Sequence, residues 1–170
     1  VKRGAIIGIG LLLVLFAAMW GIGTALPVAH VASGTRMFDR PPEDVYQLVS
    51  AVEDYPRWWH DVNRIEVLSR DEHGRVTFRQ HAADGPVIMK VVEQQPPTRF
   101  VTGIADPDQP FGGTWTFDIS RQGGRTQLAI TERGEVYNPM FRFLSRFVFG
   151  HTGTIERFLM AATNALPPGA

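Results

Sequence analysis

The stretch NPMFRFLSRFVFGHTGTIERFLMAATNA, residues 138–165, admits three readings: a membrane-binding segment, an ordinary core helix, or one wall of a ligand pocket. Asn138 is a helix-capping residue type. Pro139 suits the first helical position, where a missing N–H has no consequence. Pro167 and Pro168 mark the far end. The spacing predicts one long helix from Pro139 to Ala165. At about 100° per residue, Met140, Leu144, Val148, His151, Ile155, Phe158 and Ala162 share one broad arc. Phe141 and Leu159 border it on one side, and Phe143 and Phe147 on the other. Arg142, Arg146, Gly153, Glu156 and Arg157 lie opposite. One apolar face against one charged face describes a helix lying on a sheet, not a second membrane span. Phe149 departs from the pattern and points with the charged side. It reads either as a lone exposed aromatic or as a contact with a membrane surface.

A sheet able to receive that helix is written upstream. The segments Val62–Leu68, Arg75–Ala82, Val87–Glu93, Arg99–Ala105, Gly113–Ser120 and Thr126–Arg133 read as strands, and HVASGTRMFDR, residues 30–40, as a first one. The links between the six carry turn chemistry, including His73-Gly74, Asp84-Gly85-Pro86 and Gly123-Gly124. Successive hairpins make an antiparallel meander, bracketed by helices. Alternation places Val76, Phe78, Val87, Met89, Val91, Phe100 and Ile104 on one face. Trp115, Phe117, Ile119, Leu128 and Ile130 continue it, while Arg75, Arg79, Lys90 and Arg99 take the other. Between the first strand and the meander stands PPEDVYQLVSAVEDYPRWWHDV, residues 41–62. Pro42 opens a helix, Glu43 and Asp44 suit its positive end, and Val45, Leu48, Val49 and Val52 form its apolar stripe. A second short helix begins near Pro56.

Gly4 to Val28 contains no charged residue. About 20 apolar residues cross a hydrocarbon core, so this run is long enough for a transmembrane anchor. The competing reading is a cleaved signal peptide, with Lys2 and Arg3 as its basic end and Gly23-Thr24-Ala25 as its cleavage site. The run exceeds the apolar core of a usual signal peptide, which favours the anchor. Gly4 with Gly8, and Ala17 with Gly21, have the spacing of close helix packing, a weak indication of self-association. Lys2 and Arg3 favour a non-cytoplasmic domain, though Arg36 and Arg40 nearly offset them. The expected organisation is a single-pass anchor over residues 1–29 and a ligand-binding domain over residues 30–170.

Seventeen basic and 17 acidic side chains balance across the 170 residues, giving no basic face for nucleic acid. With no cysteine, disulfides, thiolate metal sites and a cysteine nucleophile are excluded. His30, His60, His73, His81 and His151 are scattered without a metal-binding spacing, and no phosphate-cradling glycine loop occurs. Neither metal nor cofactor is expected.

The first strand, the helical PPEDVYQLVSAVEDYPRWWHDV, the meander with GGTWTF (residues 112–117) and the C-terminal helix together resemble the START/Bet v1-like superfamily. More narrowly, the chain is similar to its polyketide cyclase/dehydrase group, over about residues 31–165. The resemblance implies an α+β helix-grip fold. In it a seven-stranded antiparallel sheet wraps a long C-terminal helix around a deep apolar cavity. It also implies a hydrophobic guest, since members bind lipids, sterols, quinones or polyketides, and some are enzymes. The family has no single catalytic motif, so no catalytic role transfers. The anchor is not part of its pattern.

Within such a cavity the inward polar side chains carry the specificity. They are Gln80, Thr102, Glu132 and His151, and a buried polar group without a partner costs about 1–3 kcal/mol. His151 reads as a hydrogen-bonded core histidine, or as a group that binds a ligand oxygen or moves a proton. Glu132 reads as the partner of an arginine at the sheet edge, or as an acid/base. The two are expected about 10 Å apart, too far for direct proton transfer. Trp58 and Trp59 are expected beside the cavity mouth, one in the core and the other capping the pocket, opposite the loop ADPDQPFGG. The expected ligand wall is Trp58, Trp59, Phe78, Gln80, Met89, Thr102, Trp115 and Phe117, with Ile130, Phe143, Phe147, His151 and Ile155. The leading functional expectation is membrane-anchored binding of a lipid, isoprenoid or polyketide-like molecule. The alternatives are a cyclase or dehydratase using His151 or Glu132, and an interaction module with a collapsed cavity.

Overall fold

The computed structural model describes residues 2–83, 85–150 and 152–168; for residues 2–6 and Phe149 it describes the backbone only. An apolar helix, α1 (Lys2–Ala25), precedes strand β1 (Ala29–Phe38). Helix α2 (Pro42–Ser50), a 3₁₀ turn (Val52–Asp54) and the short α3 (Tyr55–Trp58) lead into the meander. Its strands are β2 (Val62–Arg70), β3 (Val76–Ala82), β4 (Gly85–Gln95), β5 (Arg99–Ile104), β6 (Phe111–Gln122) and β7 (Arg125–Val136). They form one antiparallel seven-stranded sheet in the order β1-β7-β6-β5-β4-β3-β2, so β1 returns to pair with the last strand.

Alternation buries the face that the sequence marks. Phe78, Phe100, Phe117, Leu128 and Ile130 are enclosed, and Arg79, Lys90 and Arg99 remain on the other side. Val45 and Val49 of α2 and the C-terminal helix α5 (Gly153–Ala165) cover that face. Ile155, Phe158, Leu159 and Ala162 of α5 are fully buried, at the spacing of a one-sided helix. A methyl group on Gly34 of β1 would stand 2.8 Å from Ile155 Cγ2 and 3.1 Å from Leu159 Cδ1. The missing side chain is what lets α5 lie close on the sheet.

The single long C-terminal helix expected from the sequence is a correction. The segment is split into α4 (Pro139–Leu144), a π-helical turn (Ser145–Phe149) and α5. Asn138 caps α4 as its type predicts, its side chain accepting from the amides of Met140 and Phe141. Continuity ends at Gly150, whose φ of 73° is left-handed backbone incompatible with an α-helix. The angular register therefore does not carry across the break. Val148, placed inward by a continuous helix, is 61% exposed, and Phe147 is 60% exposed.

Helix α1 has one stretch, Ile7–Ala25, long and apolar enough to cross a membrane. Its last turn meets α4. Gly23 lies against Pro139, where any side chain would collide with the proline carbonyl, and Arg142 Nη1 donates to the Leu26 carbonyl at 2.9 Å.

Candidate functional site

A cavity of about 550 Å³ lies between the inner face of the sheet and helices α3, α4 and α5. Its floor is aromatic: Tyr55 and Trp59 from the α3 region, Phe158 from α5, and Trp115 and Phe117 from β6. Phe78, Val87, Met89 and Ile104 form the apolar side wall. The rim is the exposed end, with Phe111, Phe141 and Gly150. Trp59 and Trp115 stack with centroids 6.3 Å apart, and Phe158 meets Trp59 edge-on at 4.9 Å. These large rings hold each other and stop the walls from collapsing together.

Three glycines on the wall let neighbouring groups approach closely. They are Gly112, Gly113 and Gly134, and Gly113 pairs directly with Gly134 across β6 and β7. A side chain at Gly112 or Gly113 would collide with the Tyr137 hydroxyl or the Arg133 carbonyl, respectively. On the other side Gly134 pairs with His30 of β1. The His30 ring folds over that bare backbone; a methyl group on Gly134 would stand 2.3 Å from its Cε1.

In that position His30 Nε2 lies 3.1 Å from Glu132 Oε1, while Trp115 Nε1 donates to Glu132 Oε2 at 2.9 Å. The pair is mostly buried, at 16% and 20% side-chain exposure. A carboxylate has about four acceptor positions, so two donors leave Glu132 able to accept from a ligand hydroxyl. The Trp59 indole N–H is buried and has no hydrogen-bond partner among the described residues. Such a donor costs about 1–3 kcal/mol unless an acceptor reaches it. The Tyr55 hydroxyl is committed elsewhere. It donates to the Val49 carbonyl at 2.7 Å, and burial pushes its pKa up, so it stays protonated. Among the described residues no cluster of three His, Asp or Glu gathers for a metal ion.

Of the residues expected on the ligand wall, Trp59, Phe78, Gln80, Met89, Thr102, Trp115 and Phe117 face the cavity. Ile130 and Ile155 do not; both lie fully buried in the core behind it. Trp58 packs against Tyr55 and Phe158 outside the wall, and the Phe143 ring meets that of the exposed Phe147 at a tilt of 47°. His151 lies outside the described residues, as does the Phe149 side chain. Glu132 is on the wall, but its partner is His30 rather than an arginine. His30, Phe141 and the three glycines were not anticipated. The parity of β1 contained the signal for His30, because it shares a face with buried Ala32 and Phe38.

Solved structures share this architecture. A START superfamily protein from Mycobacterium smegmatis matches 81% of this chain and 97% of its own, with 23% identity and a TM-score of 0.65. The Zhui aromatase/cyclase from Streptomyces matches 81% of this chain and 93% of its own, with 13% identity and a TM-score of 0.64. Norcoclaurine synthase from Thalictrum flavum matches 85% and 90%, with 10% identity and a TM-score of 0.64. At these identities the likeness shows the fold. No curated protein matches the chain. The sequence profile described as polyketide cyclase / dehydrase and lipid transport matches residues 38–159, from the end of β1 into α5 and thus across most of the cavity-bearing fold, and the chain belongs to that family.

Proposed function

We propose that residues 1–29 anchor this protein in a membrane and that residues 30–170 bind a hydrophobic small molecule of the lipid, isoprenoid or polyketide class. The observation that carries this reading is the 550 Å³ cavity with its aromatic floor and the hydrogen-bonded polar point formed by Glu132, His30 and Trp115. Cavities of a few hundred cubic ångströms that are apolar, with few polar groups, are the usual form of small-molecule sites. The polar point suits a guest with a hydroxyl or carbonyl on an otherwise apolar body. Apolar burial supplies the affinity, at about 25 cal/mol per Å² removed from water. The hydrogen bonds select orientation, because a guest lacking the oxygen leaves the buried groups unpaired. The domain is placed on the non-cytoplasmic side, following the basic residues at the N-terminus. The test is solvent extraction of the purified full chain followed by mass spectrometry. An apolar, oxygen-bearing compound in stoichiometric amount is the expected result; no such compound and no uptake of an apolar probe defeat the reading.

A second reading, a cyclase or dehydratase acting on such a guest, is favoured by one observation: a carboxylate held by a histidine in a wall shielded from water. That pair can accept and return a proton at a bound carbonyl compound. Glu132→Gln separates the two readings. An enzyme loses turnover while retaining its substrate; a binding module loses affinity alone. The reading of a collapsed interaction module finds no support in a cavity of this size.

A further inference from the structure

The membrane helix and the cavity mouth are joined. Gly23 of α1 lies on Pro139, the Leu26 carbonyl accepts from Arg142, and the Val28 carbonyl accepts from the Val136 amide at 2.9 Å. Pro139 and Arg142 belong to α4, which also supplies Phe141 to the rim. Just beyond it, Phe147 and Val148 of the π-helical turn are exposed to an extent unusual for large apolar side chains grouped together. Tyr137 and Phe141 are about half exposed in the same segment. The segment has no acidic residue between Glu135 and Glu156, and it carries the exposed Arg146. Apolar aromatics with arginine and no acid are the composition of a chain segment lying in the headgroup layer of a bilayer. Trp20, near the same end of α1, is the residue type enriched at that depth.

We propose that Tyr137 through Val148 docks into the interfacial layer of the bilayer that α1 crosses, so that the cavity mouth opens onto lipid. The occupant of this surface is the bilayer itself. The contacts between α1 and α4 hold the segment at the membrane end of the anchor, and the helix break at Gly150 separates it from α5, with Tyr137, Phe141, Phe147 and Val148 left exposed. A hydrophobic guest then passes between bilayer and cavity past Phe141 and Phe111 without crossing water. The inference rests on the membrane-anchored binding reading and adds the route.

The chain has no cysteine, so single-cysteine variants label cleanly. Phe147→Cys and Gln122→Cys are each labelled with an environment-sensitive fluorophore in the full chain, reconstituted into phosphatidylcholine vesicles. Both positions are exposed and outside the cavity wall. Gln122 ends the strand that starts at the rim with Phe111, so it marks the far end of the domain. Lipid carrying a nitroxide high on the acyl chain is expected to quench the label at 147 several-fold more than that at 122. Equal quenching at the two positions, or quenching at 147 by aqueous iodide alone, overturns the docking. Uptake of a fluorescent fatty acid by the same proteins is measured in parallel. Uptake without differential quenching refutes the route and leaves binding standing. Differential quenching without uptake supports the docked surface and refutes the binding reading.

Discussion

In the proposed binding function, Glu132 is the residue on which ligand selectivity turns. Strand register brings two cross-strand neighbours, His30 and Trp115, to its carboxyl group on an otherwise largely apolar wall. Glu132→Gln keeps the volume and removes the charge. Hydrogen bonds to charged groups are worth about 1.5–3 kcal/mol against about 0.5–1.5 for neutral ones. Affinity for a hydroxyl-bearing apolar probe is expected to fall about tenfold, since about 1.4 kcal/mol is a factor of ten. Affinity for the matching hydrocarbon should hardly change, and titration of both probes checks this. Tyr55 gives a pH prediction. Its folded-state pKa is raised by burial, so between the unfolded value near pH 10 and the folded one only the unfolded chain loses the proton. Stability is thus full below about pH 10 and declines as pH rises beyond it. Tyr55→Phe should cost about 1 kcal/mol at neutral pH through the lost bond to Val49, and should flatten the alkaline decline. Thermal melts of the full chain in micelles across the alkaline range measure both effects.

At the scale of elements, one end of the helix–sheet contact is closed and the other is open. Gly34 closes it by letting α5 approach β1. Gly34→Ala inserts a methyl group into a gap of 2.8 Å beside Ile155. Overpacking of this kind costs about 1–3 kcal/mol, or roughly 2–4 °C of melting temperature per kcal/mol for a domain of this size. Calorimetry should find that loss, with the cavity probe still bound because Gly34 is not on its wall. Gly134 acts at the open end. Gly134→Ala pushes the His30 ring off its position over β7. It should weaken the hydroxyl-bearing probe as Glu132→Gln does while lowering the melting temperature less than Gly34→Ala, because a ring at the cavity edge can move and two core side chains cannot. Strand faces were legible from alternation, and so were the wall residues Phe78, Met89, Trp115 and Phe117. The split of the C-terminal helix was not. Helical periodicity continues in sequence across Gly150, and only the backbone angle there reveals that the two halves have different faces.

For the whole molecule, the apolar helix α1 and the gripping domain are bound together by contacts at α4. If α1 spans a bilayer, alkaline carbonate should leave the full chain in the membrane pellet, and release into the supernatant would contradict the anchor. By itself the amino-acid sequence determined the antiparallel sheet, its buried face, the amphipathic character of the terminal segment, the length of the apolar run and the family. The family came from a resemblance over about residues 31–165; the others are local properties, read from periodicity, turn residues and composition within a few dozen positions. The tertiary structure alone decided that His30 meets Glu132 from 102 residues away, that Gly113 and Gly134 pair across β6 and β7 so that the His30 ring fits over bare backbone, and that Ile130 and Ile155 fall behind the wall instead of on it. Those outcomes depend on strand register and on how closely helix and sheet approach. Both are set by the packing of the entire chain, and no local pattern encodes them.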